Sequence, residues 1–185
     1  EETLAGIHAA QETGLSPVKL NTVVMRGIND DEIADLAGKS LEGLTVRFIE
    51  WMPIGGVPAG FAGKFVPGDE IKARIEERFG PLVEVRAEGP ARVYRIPGAA
   101  GEIGLITALS APFCDRCNRM RITADGKLRP CLLSPVEIDL KGPLRAGAGE
   151  GELSALLKEG IKRKPYAHGM IRDFPRDRAM SEIGG

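Results

Sequence analysis

Cysteine, histidine and long apolar runs are what this sequence has least of. Its three cysteines in 185 residues form an odd, sparse set, which excludes a disulfide scaffold and suits a reducing, cytoplasmic compartment. The two histidines, His8 and His168, stand far from each other and from the cysteines. No apolar stretch approaches the roughly 20 residues of a membrane span. Glu1-Glu2-Thr3 offers neither the basic nor the apolar region of a signal peptide. The chain also opens without Met, directly on a helical pattern, so it is expected to be a piece of a longer protein. Neither sign of charge dominates: a net charge of −1 gives the whole chain no electrostatic reason to bind nucleic acid. Repeats and low-complexity tracts are absent as well.

What remains is globular material. Hydrophobic residues at 43% and charged residues at 28% support a packed core. The length allows one ordinary domain, or part of one with a small companion. Leu4, Ile7, Ala10 and Gln11 recur at helical spacing before Gly14. Strands read over 18–24 and 44–50. Between them a helix running to about Lys39 is expected, with Asn29 as its N-cap and Glu32 completing a capping box. Helix, strand, helix, strand at this spacing signals parallel βα units. Two strands cannot close a barrel. The fold class expected is therefore α/β: the last βα units of a partial (β/α) barrel, then a smaller α+β C-terminal domain. Residues 52–68 read as loop, 68–79 as helix, 82–87, 91–96 and 103–109 as short strands, and about 150–164 as a last helix. The division is expected near 51–60, giving residues 1–55 to the barrel and 56–185 to the second domain. The final fifteen residues read as charged and extended.

Cys114 and Cys117 form a C-x2-C pair, and Cys131 follows after thirteen intervening residues. Buried structural cysteines need no such spacing. A zinc site wants four ligands and would have to recruit a distant histidine. A [4Fe–4S] cluster ordinarily takes four thiolates, so three would leave one iron open to a small molecule. Arg119 to Thr123 alternates as a strand, and Lys127-Leu128-Arg129 reads as its return. Ala124-Asp125-Gly126 suits a three-residue loop with Gly126 left-handed. That register sets Arg121 opposite Arg129 and Cys131 opposite Arg119, with Cys117 diagonal on the same face. A two-residue Asp-Gly loop would send Cys131 to the other face, so a shared cluster demands the longer loop. Arg116, Arg119, Arg121, Lys127 and Arg129 crowd beside the cysteines, and Lys158, Lys162, Arg163 and Lys164 follow later. Arginines beside thiolates complement a negatively charged cluster or a phosphate-bearing substrate, whereas a solvated charged face is the plainer alternative.

In the first barrel strand Lys19 and Asn21 share one face, and in the second Arg47 lies between Val46 and Phe48. Parallel strands buried on both sides read as near-continuous apolar runs, so a cation there needs a partner. An ion pair with Glu50 would serve. An anionic ligand between the two cations would serve as well.

These residues carry a family resemblance. Pro17 to Val24, Arg26-Gly27-Ile28-Asn29-Asp30 and Arg47 to Pro53 resemble the late barrel strands of the radical-SAM GTP 3′,8-cyclases of molybdenum cofactor biosynthesis. Ile103 to Ile106, Phe113 to Arg121, Asp125 to Leu128 and Cys131-Leu132 resemble that family's cluster region. Met180-Ser181-Glu182-Ile183-Gly184-Gly185 resembles its Gly-Gly tail. The resemblance implies a lyase with two [4Fe–4S] clusters. One, in an N-terminal half, would cleave S-adenosylmethionine to a radical. The other, on Cys114, Cys117 and Cys131, would bind GTP at its open iron. Lys19, Arg47, Arg119, Met120 and Arg121 match GTP-binding positions, Met52 matches an S-adenosylmethionine contact, and Gly184 and Gly185 would enter the active site. The product, 3′,8-cyclo-GTP, would pass to a cyclic pyranopterin monophosphate synthase. No nucleic-acid or membrane partner is implied, and homodimer formation stays open. The radical-generating C-x3-C-x2-C motif is absent, so this chain alone is expected to be inactive. Outside the enzyme class, a non-catalytic zinc-binding interaction module is the alternative. A Gly-Gly sulfur carrier fits poorly, being shorter and without such cysteines. A severed barrel would expose a sheet edge and associate in isolation.

Overall fold

The computed structural model describes residues 2–167 and 178–183. Its elements run α1 (Glu2–Glu12), β1 (Lys19–Val24), α2 (Ile33–Gly38), β2 (Thr45–Glu50), α3 (Phe61–Lys64), α4 (Gly68–Phe79), β3 (Val83–Glu88), β4 (Ala91–Arg95) and β5 (Glu102–Ile106). Then follow β6 (Arg121–Ile122), β7 (Lys127–Arg129), β8 (Ile138–Asp139), α5 (Lys141–Arg145) and α6 (Glu150–Lys162). Among the described residues no helix is long and apolar enough to cross a membrane.

The chain forms two compact units. The first comprises Glu1–Trp51 with Ala62–Ala111, and the second Met52–Phe61 with Pro112–Gly185. This differs from the division expected after residue 55. The reason lies in the first unit's five-stranded sheet, ordered β1-β2-β5-β4-β3. β5, expected in the second domain, is a third parallel strand beside β2, with Val46 opposite Ile103 and Phe48 opposite Leu105. β4 and β3 extend the sheet antiparallel. Residues 62–111 thus complete the sheet that β1 and β2 begin.

The period-two pattern sorts this sheet into two faces. Leu20, Val46, Phe48, Ile103 and Leu105 point to one side and join the core. Helix α4 covers them with Ile71 and Ile75, one turn apart and 1% and 0% exposed. Asp69 and Glu70 suit its first turn, and Gly80, at φ 78°, ends it. Helix α2 begins at Ile33, later than expected, because Asn29 does not cap it. Asn29 Oδ1 instead accepts from the Met25 N–H at 2.8 Å, and its amide donates to the Val23 carbonyl at 2.9 Å. The side chain closes the turn after β1, a competing use open to any asparagine.

The second unit holds a three-stranded antiparallel sheet, β6-β7-β8. Arg121 pairs with Arg129 and Ile122 with Leu128, the register of the longer loop. Gly126 lies at φ 85° and its N–H donates to the Thr123 carbonyl, while the Thr123 N–H donates to the Lys127 carbonyl. The strand before the loop is shorter than expected, since Arg119 and Met120 lie outside it. Residues 178–183 dock within this unit. Ile183 is fully buried, and the Ala124 N–H donates to the Glu182 carbonyl at 3.1 Å. Gly184, Gly185 and His168, with most of the final fifteen residues, lie outside the described residues.

Candidate functional site

On the first unit's sheet, the face turned away from the helices carries Lys19 and Asn21 of β1 and Arg47 of β2, with Asn21 directly opposite Arg47. Arg47 lies over Gly104 of β5, where a Cβ would sit 2.9 Å from its Cγ. Glycine there leaves room for the guanidinium chain. The two cations converge on one carboxylate. Glu88 Oε1 lies 2.8 Å from Lys19 Nζ and 2.8 Å from Arg47 Nη2. Arg86 holds the other oxygen at 2.7 Å and also pairs with Glu102, which pairs with Arg95.

Lys19 and Glu88 belong to opposite edge strands. Four spacings of about 4.8 Å would hold those edges about 19 Å apart in a flat sheet, beyond what the two side chains span. The sheet therefore curls toward this face. Lys19 and Arg86 hold the Glu88 carboxyl far below its ordinary value, at about 2.

The expected partner Glu50 is not involved. It lies on the opposite, core face and is 1% exposed. Its carboxylate accepts from the N–H groups of Gly68, Leu109 and Ser110 at 2.8, 2.8 and 3.0 Å, and from the Ser110 hydroxyl. Glu50 thus ties the start of α4 to the loop after β5. A cavity of about 240 Å³ lies at the other end of the strands, beside Val18 and Leu44. None of the candidate residues lines it.

In the second unit a single 3-10 turn, Cys114–Arg116, brings the Cys117 N–H to the Cys114 carbonyl at 3.2 Å. Lys164, just past α6, reaches back to this region. Its ammonium donates to Cys117 Sγ at 3.4 Å, to the Pro130 carbonyl at 3.2 Å and to the Arg119 carbonyl. Burial raises the Cys117 thiol, but the Arg119 N–H and guanidinium, with Lys164, outweigh it and bring it below the ordinary value. Cys131 shifts the other way. Burial is the largest cause, and the neighbouring charges of Cys114 and Cys117 add to it. The three thiols are therefore electrostatic neighbours. Even so, among the described residues no group of three or more His, Cys, Asp or Glu side chains is arranged to hold a metal ion.

Arg119 is exposed, with its guanidinium 5.2 Å from the Phe113 ring centre. Burial and the like charge of Arg119 lower Arg121, against the pull of Cys131. Crowded cations of this kind favour an incoming anion. Part of the expected basic cluster is already neutralised. Arg129, 1% exposed, pairs with Glu137 at 3.2 Å, and Lys127 pairs with the same carboxylate. Arg178 holds Glu137 at 2.6 Å and Asp125 at 2.9 Å, anchoring the segment that ends at Ile183. Met120 and Met52 are half-buried. Sequence reasoning missed Glu88 and the reach of Lys164; their partners lie 69 and 47 residues away, and no local pattern marks them.

The profile of the family described as Molybdenum Cofactor Synthesis C matches residues 44–170. A protein named GTP 3',8-cyclase from Pelotomaculum thermopropionicum is 50% identical over 97% of this chain and 57% of its own length. Its namesakes from Moorella thermoacetica and Heliobacterium modesticaldum are 51% and 47% identical, over 97% and 100% of this chain and 56% and 58% of theirs. The chain thus spans less than three-fifths of the length of the relatives it matches. With its family profile and these relatives together, the chain belongs to the Molybdenum Cofactor Synthesis C family and is similar to the C-terminal part of GTP 3',8-cyclases.

Proposed function

We propose that this chain is the substrate-binding part of an enzyme that cyclises GTP to 3′,8-cyclo-GTP in molybdenum cofactor biosynthesis. The observation that carries the reading is the hairpin that pairs Arg121 with Arg129, together with Lys164, whose ammonium joins Cys117 Sγ to the Arg119 carbonyl. Under this reading Cys114, Cys117 and Cys131 hold a [4Fe–4S] cluster. Soft thiolates suit iron–sulfur ligation, and Lys164 and Arg119 offset the negative charge such a group brings. A single metal ion would need its ligands to converge at about 2.3 Å, whereas a cluster spreads its thiolates over several irons. When bound, the cluster supplies an open iron for the base of GTP. The chain's own residues do the rest: Arg119, Met120 and Arg121 orient the nucleotide, and Lys19 and Arg47 bind its negative charge. Met52 contacts S-adenosylmethionine. The β1-β2-β5 trio is the end of a partial α/β barrel. No C-x3-C-x2-C motif is present, so radical generation belongs to the length of the relatives that this chain does not span. The product would serve a cyclic pyranopterin monophosphate synthase.

The test is iron, sulfide and GTP binding on the whole enzyme after anaerobic reconstitution. The Cys131→Ala variant should lose about four irons relative to wild type, and Arg119→Ala and Arg121→Ala should weaken GTP binding while keeping the wild-type melting temperature. Zinc retained with no iron taken up would favour the interaction module instead.

A further inference from the structure

The Glu88 carboxylate stands where an anionic ligand would stand. Among the described residues it is the only carboxylate paired with either Lys19 or Arg47. The linked network holds four cations, Lys19, Arg47, Arg86 and Arg95, against two carboxylates, Glu88 and Glu102. The difference, four minus two, is two positive charges. Glu88 therefore gathers the cations without neutralising the face.

Its position suits a group that leaves. Glu88 ends β3, the edge strand furthest from β1, and only Gly89 and Pro90 separate it from β4. Five of the six β3 residues are exposed, and the strand is bonded on one side only. Edge hairpins with so little buried surface open locally before the rest of a fold. The side chains of Lys19 and Glu88 are each 35% exposed and that of Arg47 is 20% exposed. Ion pairs so open to water hold weakly. A polyphosphate brings several charges and can take an arginine in two parallel hydrogen bonds, so it competes well for the same two cations.

We propose that Glu88 is a displaceable placeholder. It keeps Lys19 and Arg47 aimed at one point, and the polyphosphate end of a nucleotide takes its place there while the β3–β4 tip moves away. Held in one place beforehand, the cations lose less freedom when the ligand arrives. The carboxylate meanwhile excludes ligands of low charge, which cannot outcompete it. This inference rests on the reading that Lys19 and Arg47 bind GTP, and it adds the group that gates them.

The experiment titrates inorganic tripolyphosphate and GTP separately into the whole enzyme by calorimetry, using wild type, Glu88→Gln, Lys19→Ala and Arg47→Ala. The glutamine keeps the side chain's shape but not its charge. Glu88→Gln should tighten tripolyphosphate binding about tenfold, the effect of removing one competing charge at contact distance. Lys19→Ala and Arg47→Ala should weaken both ligands. Unchanged or weaker binding by Glu88→Gln, with both cation variants still weakened, would overturn the displacement and leave the GTP reading standing. Unchanged GTP affinity in both cation variants would overturn the reading and this inference with it. Should Glu88→Gln fail to fold, hydrogen exchange on the wild type decides. Tripolyphosphate should speed exchange at the Glu88–Ala91 turn, and slower exchange there would refute displacement.

Discussion

Lys19 and Arg47 stood out in the sequence because each interrupts an apolar strand, and that misfit alone marked them as needing an anion. Their partner was not legible. Glu50 was the expected choice, yet three positions separate it from Arg47, and strand residues an odd number apart face opposite ways. Strand parity therefore excluded Glu50 as the partner of Arg47 from the start, and the register of β1 on β2 excludes it for Lys19. Glu88 could only be found once the sheet curled its two edges together. The cysteines divide similarly. Their spacing and the loop that joins them were readable, but the ammonium of Lys164 arrives from beyond a helix that no local rule ties to the hairpin. Their unequal surroundings predict unequal chemistry. The Cys117 thiol titrates below its ordinary value and Cys131 above it, so at a given neutral pH more of Cys117 is thiolate, the nucleophilic form. In the metal-free protein, iodoacetamide should alkylate Cys117 before Cys131, read by peptide mass spectrometry over time at pH 7. Lys164→Ala should slow Cys117 and leave that order intact or narrowed; equal rates for the two cysteines in the wild type would contradict these surroundings.

Elements were the most legible scale, because periodicity of apolar residues survives tertiary context when a face is buried. The helix over 68–79 is α4 to the residue, since Ile71 and Ile75 mark one stripe and Gly80 stops it. Helix α2 was the exception, because an asparagine can bond back to the strand it follows as readily as forward to a helix. Glu50 governs how these elements join. Three backbone N–H groups, one at the start of α4 and two in the loop after β5, end on its carboxylate. Replacing it by alanine leaves the buried Gly68 N–H unanswered and strips the part-buried Leu109 and Ser110 N–H groups of their acceptor. Hydrogen bonds to a charged group contribute about 1.5–3 kcal/mol each, and unsatisfied buried donors cost about 1–3 kcal/mol. Glu50→Ala should therefore destabilise the fold by more than about 3 kcal/mol, measured by urea unfolding. Glu50→Gln, which keeps one acceptor oxygen but turns an NH2 toward the remaining donors, should cost less than Glu50→Ala and still be destabilising. A loss under about 1 kcal/mol for Glu50→Ala would mean that water replaces the carboxylate.

The division into units was the least legible property of the molecule, because it depends on which strands neighbour one another. β5 reads locally like any short strand; only its parallel register with β2 assigns it to the first unit. Charge acts across the whole molecule in a way that composition conceals, for a net charge of −1 is built from many local pairs. Glu70, Glu76, Glu88, Glu102, Glu137 and Asp125 are all held below their ordinary values, chiefly by Arg26, Lys72, Lys19, Arg86, Arg178 and Arg178 in that order. The sign follows from linkage. A carboxylate whose folded value is depressed adds stability that is present above its unfolded value and lost as pH falls through the folded one. For Glu88 that window runs from 4.5 down to about 2, and the other carboxylates begin losing their contributions in the same range. Each pair is partly exposed and individually weak; six acting in one pH window are not. The melting temperature should hold from pH 7 to about 5 and fall steeply below about 4.5. Added salt should flatten the fall, because screening weakens the pairs that produce it. A melting temperature unchanged down to pH 2.5 would mean these carboxylates carry no stability, and the curled face joined by Glu88 would then have to be held by its strands alone.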